Sequence, residues 1–337
     1  MPKVSIIIPN YNNSKYLAGC INSVRMQSYQ DTEIVVIDDC SKDNSEEIVK
    51  EIAAVDSRIV FQKMPKNSGV GAARNRGIDL SSGEFIIFLD SDDIMCPTAI
   101  DGMMTIQAAT GADIIVGSYT KVPESFFIPE GANFTFPAFD FESFAEPNAF
   151  VERIDDLSLV TVWGKMIRRE IVKDIRFEEI YPYEDVEFIL RLYGHVHVGA
   201  ITKNLAIYYR LSETSVIADK TRDVSKDVIK VLESIAANFP KFDKDYAKFV
   251  KRYAYMFLRL WIGSILRKMN QPNADRAYRR RLGRQMRSMA KCVRHIMKAG
   301  VFNGIRISSK NKIALILFGI GFTKPAGKVL AFKDGKI

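Results

Sequence analysis

Short apolar runs alternate with stretches of helical spacing along the first part of the chain. Runs rich in Val, Ile and Phe predict β-strands over 4–8, 33–37, 58–62 and 85–89. Between them, apolar side chains recur every three or four positions and predict helices over 14–26, 45–55 and 71–80. Strands that alternate with helices at this spacing predict βαβ units. The fold class is therefore α/β, with a mostly parallel sheet flanked by helices.

The pattern changes in the second half of the chain. Residues 121–160 have no clear period, and strand-like and helical segments return between 159 and 209. From residue 224 onward the spacing is helical, and one face carries Val228, Val231, Leu232 and Ile235. We therefore divide the chain into an α/β domain over 1–217 and a helical, basic C-terminal extension over 218–337.

The positive charge of the chain is concentrated at its C-terminal end. The 337 residues carry 48 Lys or Arg and 40 Asp or Glu, which gives a net charge of +8. Residues 264–337 hold 18 basic and 2 acidic side chains, a net of +16, so residues 1–263 hold 30 and 38, a net of −8. Between Arg267 and Lys298 the basic residues are interleaved with apolar positions at steps of three or four, which indicates a basic amphipathic helix.

Such a helix is typical of a protein that binds an anionic membrane surface, and we expect this role here. The alternatives are a partner or homo-oligomer contact, a packed helix with a solvated basic face, and nucleic-acid binding. Nucleic acid is disfavoured because no recognised nucleic-acid module accompanies the basic run.

The expected location is cytoplasmic, peripheral to the inner face of the cell membrane. The N-terminus lacks the pattern of a signal peptide. Four cysteines stand singly and favour a reducing compartment. The late apolar stretch 313–322 is about half as long as a membrane-spanning helix requires.

Polar residues stand at the ends of three predicted strands, as Pro9-Asn10-Tyr11, Asp38-Asp39 and Asp90-Ser91-Asp92-Asp93. Ligands of open parallel sheets bind beyond the carboxyl ends of the strands, so we expect these residues around one crevice. Two carboxylates one residue apart can hold Mn²⁺ or Mg²⁺ together with substrate phosphate oxygens. A solvated turn that caps a helix is the alternative for the same residues. The nearby glycines lack the spacing of a dinucleotide-binding fingerprint.

Several ordered segments carry a family resemblance: Pro9 to Asn12, Val36 to Ser41, Asn67 to Gly77 and Phe88 to Asp93. Together they resemble the nucleotide-sugar half of family 2 glycosyltransferases, inverting enzymes with a GT-A fold. Trp163-Gly164-Lys165, Glu184 to Phe188, and Tyr209-Arg210 with Ser215 are similar to later motifs of that family. The resemblance covers residues 1–215 and implies a GT-A-like, Rossmann-related sheet. It is greatest to bacterial enzymes that build capsule, exopolysaccharide or lipopolysaccharide glycans.

The resemblance implies contacts with a nucleotide sugar for Pro9, Tyr11, Asp39, Arg74, Asp90, Ser91, Trp163 and Arg210. Pro9 and Tyr11 would line the base pocket, with the Tyr11 ring against uracil. Asp39, in preference to Asp38, would accept a hydrogen bond from the base N3–H. Arg74 would meet the base or the diphosphate.

The remaining implied roles concern the metal, the sugar and the diphosphate. Asp90 would contact the ribose or the metal, and Asp92 would bind Mn²⁺ or Mg²⁺ directly. Trp163 would lie near the donor sugar or the acceptor, with a core position as the alternative. Arg210 and Ser215 would belong to a loop that closes over the diphosphate, with an exposed turn as the alternative.

Asp185 is the catalytic base that the resemblance implies. A single-displacement, inverting transfer needs one carboxylate that takes the proton from the acceptor hydroxyl. Glu184 is the alternative base, or it tunes Asp185 by like-charge repulsion. An acidic first turn of a helix is the alternative for both residues.

We therefore expect an inverting, metal-dependent hexosyl- or N-acetylhexosaminyl-transferase. It would move a sugar from a nucleotide diphosphate, UDP by preference, to a hydroxyl of a glycan or lipid-linked glycan in bacterial surface polysaccharide synthesis. The alternatives are a non-catalytic nucleotide-binding scaffold of a glycan assembly complex and a nucleic-acid-binding protein. The scaffold is disfavoured because the Asp90–Asp93 carboxylates and Asp185 are all present.

Overall fold

The computed structural model of the chain describes residues 3–129, 140–145, 149–150, 158, 160–211 and 225–238, together with single positions between 250 and 298. The chain divides into two units, Met1–Arg222 and Asp223–Ile337. The assignment of catalysis to 1–217 and of membrane or oligomer contact to 218–337 stays a prediction.

Strands and helices alternate in the first unit. Its described strands are β1 (Val4–Asn10), β2 (Thr32–Asp38), β3 (Ile59–Lys63), β4 (Phe85–Phe88), β5 (Ile94–Met95), β6 (Ile114–Pro123), β7 (Phe141–Phe144), β8 (Lys165–Arg168) and β9 (Gly199–Leu211). Its described helices are α1 (Ser14–Arg25), α2 (Ser45–Ala53), α3 (Val70–Leu80), α4 (Ala99–Thr110), α5 (Arg169–Val172) and α6 (Glu184–Tyr193). The elements predicted from β1 to β4 are all confirmed, and no bound is wrong by more than two residues.

The described strands form one sheet in the order β3-β2-β1-β4-β8-β6-β9-β5, and β7 pairs with β9. β1 is parallel to β2 and β4, and β2 is parallel to β3, which is the predicted βαβ arrangement. β8 runs antiparallel between β4 and β6, and β9 is parallel to β6. The α/β, GT-A-like fold class is confirmed. Every antiparallel pair of the described strands involves β8 or β9, which lie mainly in the stretch 159–209 where strand-like segments return.

The central strands are buried on both sides, and this burial explains their continuous apolar sequences. Every residue of β1 and β2 is buried, as expected for parallel strands that lie between two packed layers. Helix α3 approaches β1 closely because Gly77 has no side chain: a Cβ added there would lie 2.3 Å from Cγ2 of Ile7. One turn earlier on α3, Arg74 lies close enough to the carboxyl end of β4 to donate to Asp90.

The second unit contains α7 (Ser225–Asn238), and its predicted apolar face is confirmed because Val228, Val231, Leu232 and Ile235 are all buried. The predicted basic helix between 267 and 298 lies mostly outside the described residues, as does the stretch 313–322. The described positions from 280 to 298 are helical. Among them Ala290 and Val293 are buried, whereas the basic ones are exposed: Arg280, Arg284, Arg287, Lys291, Arg294 and Lys298. In the described part of the chain, no helix has both the length and the apolar character needed to cross a bilayer.

Candidate active site

The polar residues predicted to share a crevice come together at one edge of the sheet. Asn10 and Asp38 are register partners at the ends of β1 and β2. Ile7 of β1 pairs with Phe88, so the Asp90–Asp93 turn that follows β4 begins beside the end of β1. The first turn of α6 reaches the same place, because Glu184 contacts Arg74 and Arg74 contacts Asp90.

The end of β1 is buried, and the residue that follows it, Tyr11, has an exposed ring. Tyr11 is 45% exposed, whereas Pro9 and Asn10 are buried. The Asn10 amide donates to Asp38 Oδ1 at 2.9 Å, and the Ser41 backbone N–H donates to Asp38 Oδ2 at 2.9 Å. Asp38 therefore holds the turn after β2. The exposed ring of Tyr11 is accessible for stacking on a base.

Asp39 joins the end of β2 to the loop that starts α3. Its carboxylate accepts from the backbone N–H of Ser68 at 2.8 Å and from that of Gly69 at 2.7 Å. Burial raises the pKa of Asp39, the two amide bonds act in the opposite direction, and the charge of Asp38 raises it further. A carboxylate has about four acceptor sites, so each Asp39 oxygen retains capacity for one more donor.

Arg74 lies inside the protein, away from solvent. The side chain is 5% exposed, its Nη1 donates to Glu184 Oε1 at 2.8 Å, and its Nη2 donates to Asp90 Oδ1 at 2.9 Å. The guanidinium also stands over the ring of Phe177, 5.4 Å from its centroid. The charges of Asp90, Glu184 and Asp185 outweigh burial and raise the pKa of Arg74. Arg74 is therefore a fixed cation between two motifs, an arrangement that sequence analysis did not anticipate.

The Asp90–Asp93 turn carries carboxylates in different environments. Asp90 is partly exposed and accepts from Arg74, and Ser91 is buried and accepts from the side-chain amide of Asn13 at 2.9 Å. Burial first, and then the charge of Asp90, raise the pKa of Asp92 to about 6. Asp93 is buried, and its pKa is raised well above the ordinary value because of burial and the charges of Asp92 and Asp90. Asp93 Oδ1 accepts from the Arg210 backbone N–H, and Oδ2 is a buried atom without a hydrogen-bond partner among the described residues.

The donor set of this turn fits a hard divalent cation that substrate oxygens complete. Asp92 and Asp90 repel one another, and a cation between them would relieve that repulsion. Within the described residues no group of three or more His, Cys, Asp or Glu is placed to hold a metal ion. Two carboxylates with phosphate and water oxygens match the preference of Mg²⁺ and Mn²⁺.

Arg210 contacts the backbone of the Asp90–Asp93 turn. It lies on β9, whereas a loop or exposed turn was expected, and it is buried. Its Nε donates to the Asp92 carbonyl at 2.7 Å, and its Nη1 donates to the carbonyls of Phe126, at 2.8 Å, and Glu124. In this arrangement the side chain fixes the backbone of the Asp90–Asp93 turn. Its contact with a diphosphate stays a prediction, and Ser215 lies outside the described residues.

Trp163 belongs to a buried aromatic cluster. Its ring stacks on Tyr209 with centroids 5.5 Å apart and meets Tyr119 edge-on at 5.3 Å. Only 6% of the residue is exposed, so a contact with the donor sugar or the acceptor stays a prediction. The following Gly164 has a φ of 70°, which starts β8 beside β4.

Asp185 lies in the first turn of α6 and is partly exposed. Its Oδ1 accepts from the Val186 backbone N–H at 2.8 Å, and the preceding Tyr183 has a left-handed φ of 89°. Burial and the charge of Glu184 raise the pKa of Asp185 to about 7, while Arg74 acts in the opposite direction. A carboxyl group that titrates near neutral pH has the property that a general base requires.

The contact of Arg74 with Glu184 could not be found by sequence analysis. The two residues are 110 positions apart, and neither segment carries a pattern that names its partner. A second link lies beside it, because the Asn75 side chain donates to the Phe177 carbonyl at 2.9 Å and accepts from the Phe177 N–H at 2.8 Å. Helix α3 thus holds the segment that leads into α6.

Comparison with known proteins identifies relatives of this chain. The model of the family "Glycosyl transferase family 2" matches residues 5–176, which include the Asp90–Asp93 turn and end before Asp185. The putative teichuronic acid biosynthesis glycosyltransferase TuaG of Bacillus subtilis is 38% identical over 260 residues, which are 74% of this chain and 95% of that protein. A GalNAc(5)-diNAcBac-PP-undecaprenol beta-1,3-glucosyltransferase of Campylobacter jejuni is 27% identical over 292 residues, 81% of this chain and 91% of that protein.

Among solved structures, S. aureus TarS in complex with UDP-GlcNAc has a similar fold. It superposes with a TM-score of 0.76 at 20% identity and covers 97% of this chain and 90% of the TarS chain.

Proposed function

Because the chain belongs to glycosyl transferase family 2, we propose that it transfers one sugar from a UDP-sugar to a hydroxyl of a glycan or lipid-linked glycan, with inversion, in the synthesis of a bacterial surface polysaccharide. The observation that carries the proposal is the contact of one buried arginine with both halves of the site. Arg74 contacts Asp90 of the metal-binding turn and Glu184, which precedes Asp185. The donor-binding carboxylates and the base therefore face one crevice.

In the proposed reaction Asp185 takes the proton from the acceptor hydroxyl as that oxygen attacks the anomeric carbon. The bond from the anomeric carbon to the diphosphate breaks in the same step, and UDP leaves with the electron pair. A base with a pKa of about 7 is ionised in a useful fraction at neutral pH and still accepts a proton. No covalent sugar–enzyme intermediate is needed, since one displacement inverts the centre.

Tyr11, Pro9 and Asp39 form the proposed uridine pocket. The Tyr11 ring is exposed and can stack on a pyrimidine, and Pro9 is buried two positions earlier, on β1. Asp39 is held in place by the amides of Ser68 and Gly69, with acceptor capacity left for the N3–H of uracil.

Asp92, with Asp90, is the proposed holder of Mn²⁺ or Mg²⁺. The cation would supply positive charge that offsets the charge of the diphosphate as UDP leaves. Arg210 fixes the carbonyl of Asp92, and Ser91 is fixed by Asn13, so the turn is already ordered for this role.

The names of the relatives support the choice of donor and acceptor class. TarS has been solved with UDP-GlcNAc, and the Campylobacter relative is named for a polyprenol-diphosphate-linked acceptor. A UDP-sugar donor and a lipid-linked acceptor are therefore the classes to test first for this chain.

The exposed basic positions of the second unit support membrane-surface association as a further part of the proposal. Arg280, Arg284, Arg287, Lys291, Arg294 and Lys298 recur at steps of three and four, so they lie on one side of a helix. The apolar face of the predicted helix includes Val293, which is buried within the protein and is therefore not exposed to lipid. We therefore attribute membrane binding to electrostatic attraction between the basic residues and anionic lipid. This places the enzyme beside lipid-linked acceptors at the cytoplasmic face.

The decisive test of the activity is nucleotide release across a panel of UDP-, GDP- and CDP-sugars, with and without Mn²⁺. We expect release from a UDP-sugar that depends on Mn²⁺ and is lost in Asp92→Ala, because that carboxylate would no longer hold the cation. Asp174→Ala is the control, because Asp174 is an exposed carboxylate outside the site. Release from no sugar nucleotide of the panel would refute the proposed function.

A further inference from the structure

We propose that Arg74 is a positioning residue. It fixes the Asp90–Asp93 turn relative to helix α6, which carries Asp185, and it does not contact the nucleotide. The inference rests on the proposed function and replaces the role that the family resemblance implied for Arg74. Its basis is the geometry of the guanidinium, which contacts one carboxylate on each side.

The donors of Arg74 are directed into the protein. Nη1 donates one hydrogen bond to Glu184 and Nη2 donates one to Asp90, and Nε is a buried atom with no hydrogen-bond partner among the described residues. The side chain is 5% exposed, and Phe177 covers one face of the guanidinium at 5.4 Å. Because only 5% of the side chain is exposed, a nucleotide diphosphate could approach the guanidinium closely only after Arg74 had moved away from Asp90 or Glu184, at the cost of an unpaired buried charge.

The packing around Arg74 indicates that the link is rigid. Gly71, one turn before Arg74, allows the close approach of the Phe177 segment: an added Cβ would lie 3.2 Å from Phe177 Cβ and 3.7 Å from Glu184 Cγ. Asn75 adds the paired hydrogen bonds to the Phe177 backbone. Helix α3 is thus attached to the segment before α6 on both sides of Arg74, and Arg74 extends this attachment to Asp90.

By linking Asp90 and Glu184, Arg74 would align two carboxylates that act on different substrates. Asp90 belongs to the donor side, and Asp185 acts on the acceptor hydroxyl. A misplacement of about 1 Å between donor and base can lower the rate about a hundredfold without weakening the binding of either substrate. Loss of Arg74 should therefore lower kcat and leave nucleotide affinity nearly unchanged.

The experiment compares Arg74→Lys with the wild type in three measurements: UDP affinity by calorimetry with Mn²⁺, kcat with the donor found in the panel, and amide hydrogen exchange of residues 177–190. Lysine keeps the charge but cannot reach both carboxylates as the two guanidinium nitrogens do. We expect kcat to fall at least tenfold, the UDP dissociation constant to stay within threefold, and exchange in 177–190 to rise while exchange in β1 stays unchanged.

Two further variants separate positioning from loss of folding. Arg74→Met combined with Glu184→Gln removes a cation and one of its anions, and we expect it to bind UDP as the wild type does while kcat stays low. Arg76→Met is the control on the same helix, since Arg76 is half-buried and contacts Gln62 outside the site, and we expect kcat within twofold of the wild type.

A UDP dissociation constant raised more than threefold in Arg74→Lys would identify Arg74 as a nucleotide ligand and overturn the inference. Unchanged exchange in 177–190 would overturn it too, and this readout does not depend on activity. Failure of the proposed function is a different result, namely no nucleotide release by the wild type.

Discussion

Asp39 accepts a hydrogen bond at 2.7 Å from the backbone N–H of Gly69, which lies thirty positions further along the chain. Gly69 has a φ of 90°, a left-handed conformation that favours glycine, and it immediately precedes α3. One carboxylate therefore connects the proposed base pocket to the helix that carries Arg74.

Substitution of this carboxylate should weaken nucleotide binding. In Asp39→Asn, the new amide N–H₂ faces one of the two backbone N–H donors, and the negative charge is lost. A hydrogen bond to a charged group contributes about 1.5–3 kcal/mol, so the substitution should make the free energy of nucleotide binding less favourable by a similar amount. We expect the UDP dissociation constant to rise about tenfold or more in calorimetry. Glu47→Gln, an exposed position on α2, is the control and should bind UDP as the wild type does. Equal UDP affinity in Asp39→Asn and the wild type would exclude Asp39 from the pocket.

The pH dependence of kcat should report the ionisation of Asp185. Because burial and Glu184 raise the pKa of Asp185 to about 7, the carboxyl is protonated below that pH and cannot act as a base. We expect kcat at saturating donor to fall about tenfold per pH unit below pH 7. Glu184→Gln removes the like charge and leaves Arg74 opposite Asp185, so both effects lower the pKa of Asp185. The acid limb of the profile should therefore move to lower pH; a movement to higher pH would contradict the assignment.

The close packing of α3 on β1 gives a prediction about stability. Gly77→Ala places a Cβ 2.3 Å from Ile7 Cγ2, a stiff branched side chain in the core, so the strand or the helix must shift. We expect a loss of about 1–3 kcal/mol in urea unfolding. Gly19→Ala is the matched control on α1, where nothing lies within 4 Å of the new Cβ, and helix propensity predicts a gain of up to about 1 kcal/mol. Similar effects of both substitutions would show that the approach at Gly77 is not restrictive.

The exposed basic positions of the second unit should control membrane binding. Replacing basic residues there by glutamine removes about 1 kcal/mol of lipid attraction for each charge, so vesicles with 30% phosphatidylglycerol should retain much less of the variant in flotation. The stripe variant carries Arg280→Gln, Arg284→Gln, Arg287→Gln and Lys291→Gln. The control variant has the same loss of charge on the first unit, at exposed positions: Lys42→Gln, Lys66→Gln, Lys173→Gln and Lys203→Gln. Equal flotation of the two variants would remove the membrane hypothesis.

The features of the fold that depend on local pattern could be predicted from the sequence. The strands and helices from β1 to β4 follow from apolar periodicity, and the strand ends that carry Asp39 and Asp90 follow from the geometry of parallel sheets. The insertion of β8 between β4 and β6, and the pairing of β6 with β9, depend on contacts between distant segments. The sequences of these strands show that they are apolar but not which strand each one pairs with.

The same limit applies to the contacts of two long side chains of the site. Arg74 lies in the predicted helix 71–80, but the local pattern does not show that the arginine is buried between two carboxylates. Arg210 was expected near an exposed loop, yet it lies on a strand and donates to three carbonyls. In both cases the long side chain reaches a partner that only the folded chain brings within range.

The most direct measurement of the central claim is kcat of Asp185→Asn with the UDP-sugar that the wild type uses, at saturating donor, acceptor and Mn²⁺. Asparagine keeps the size of the side chain and the hydrogen bond from the Val186 N–H but cannot take a proton at neutral pH. We predict a fall in kcat of about a hundredfold or more, with UDP affinity unchanged. Retention of full activity by Asp185→Asn would contradict it.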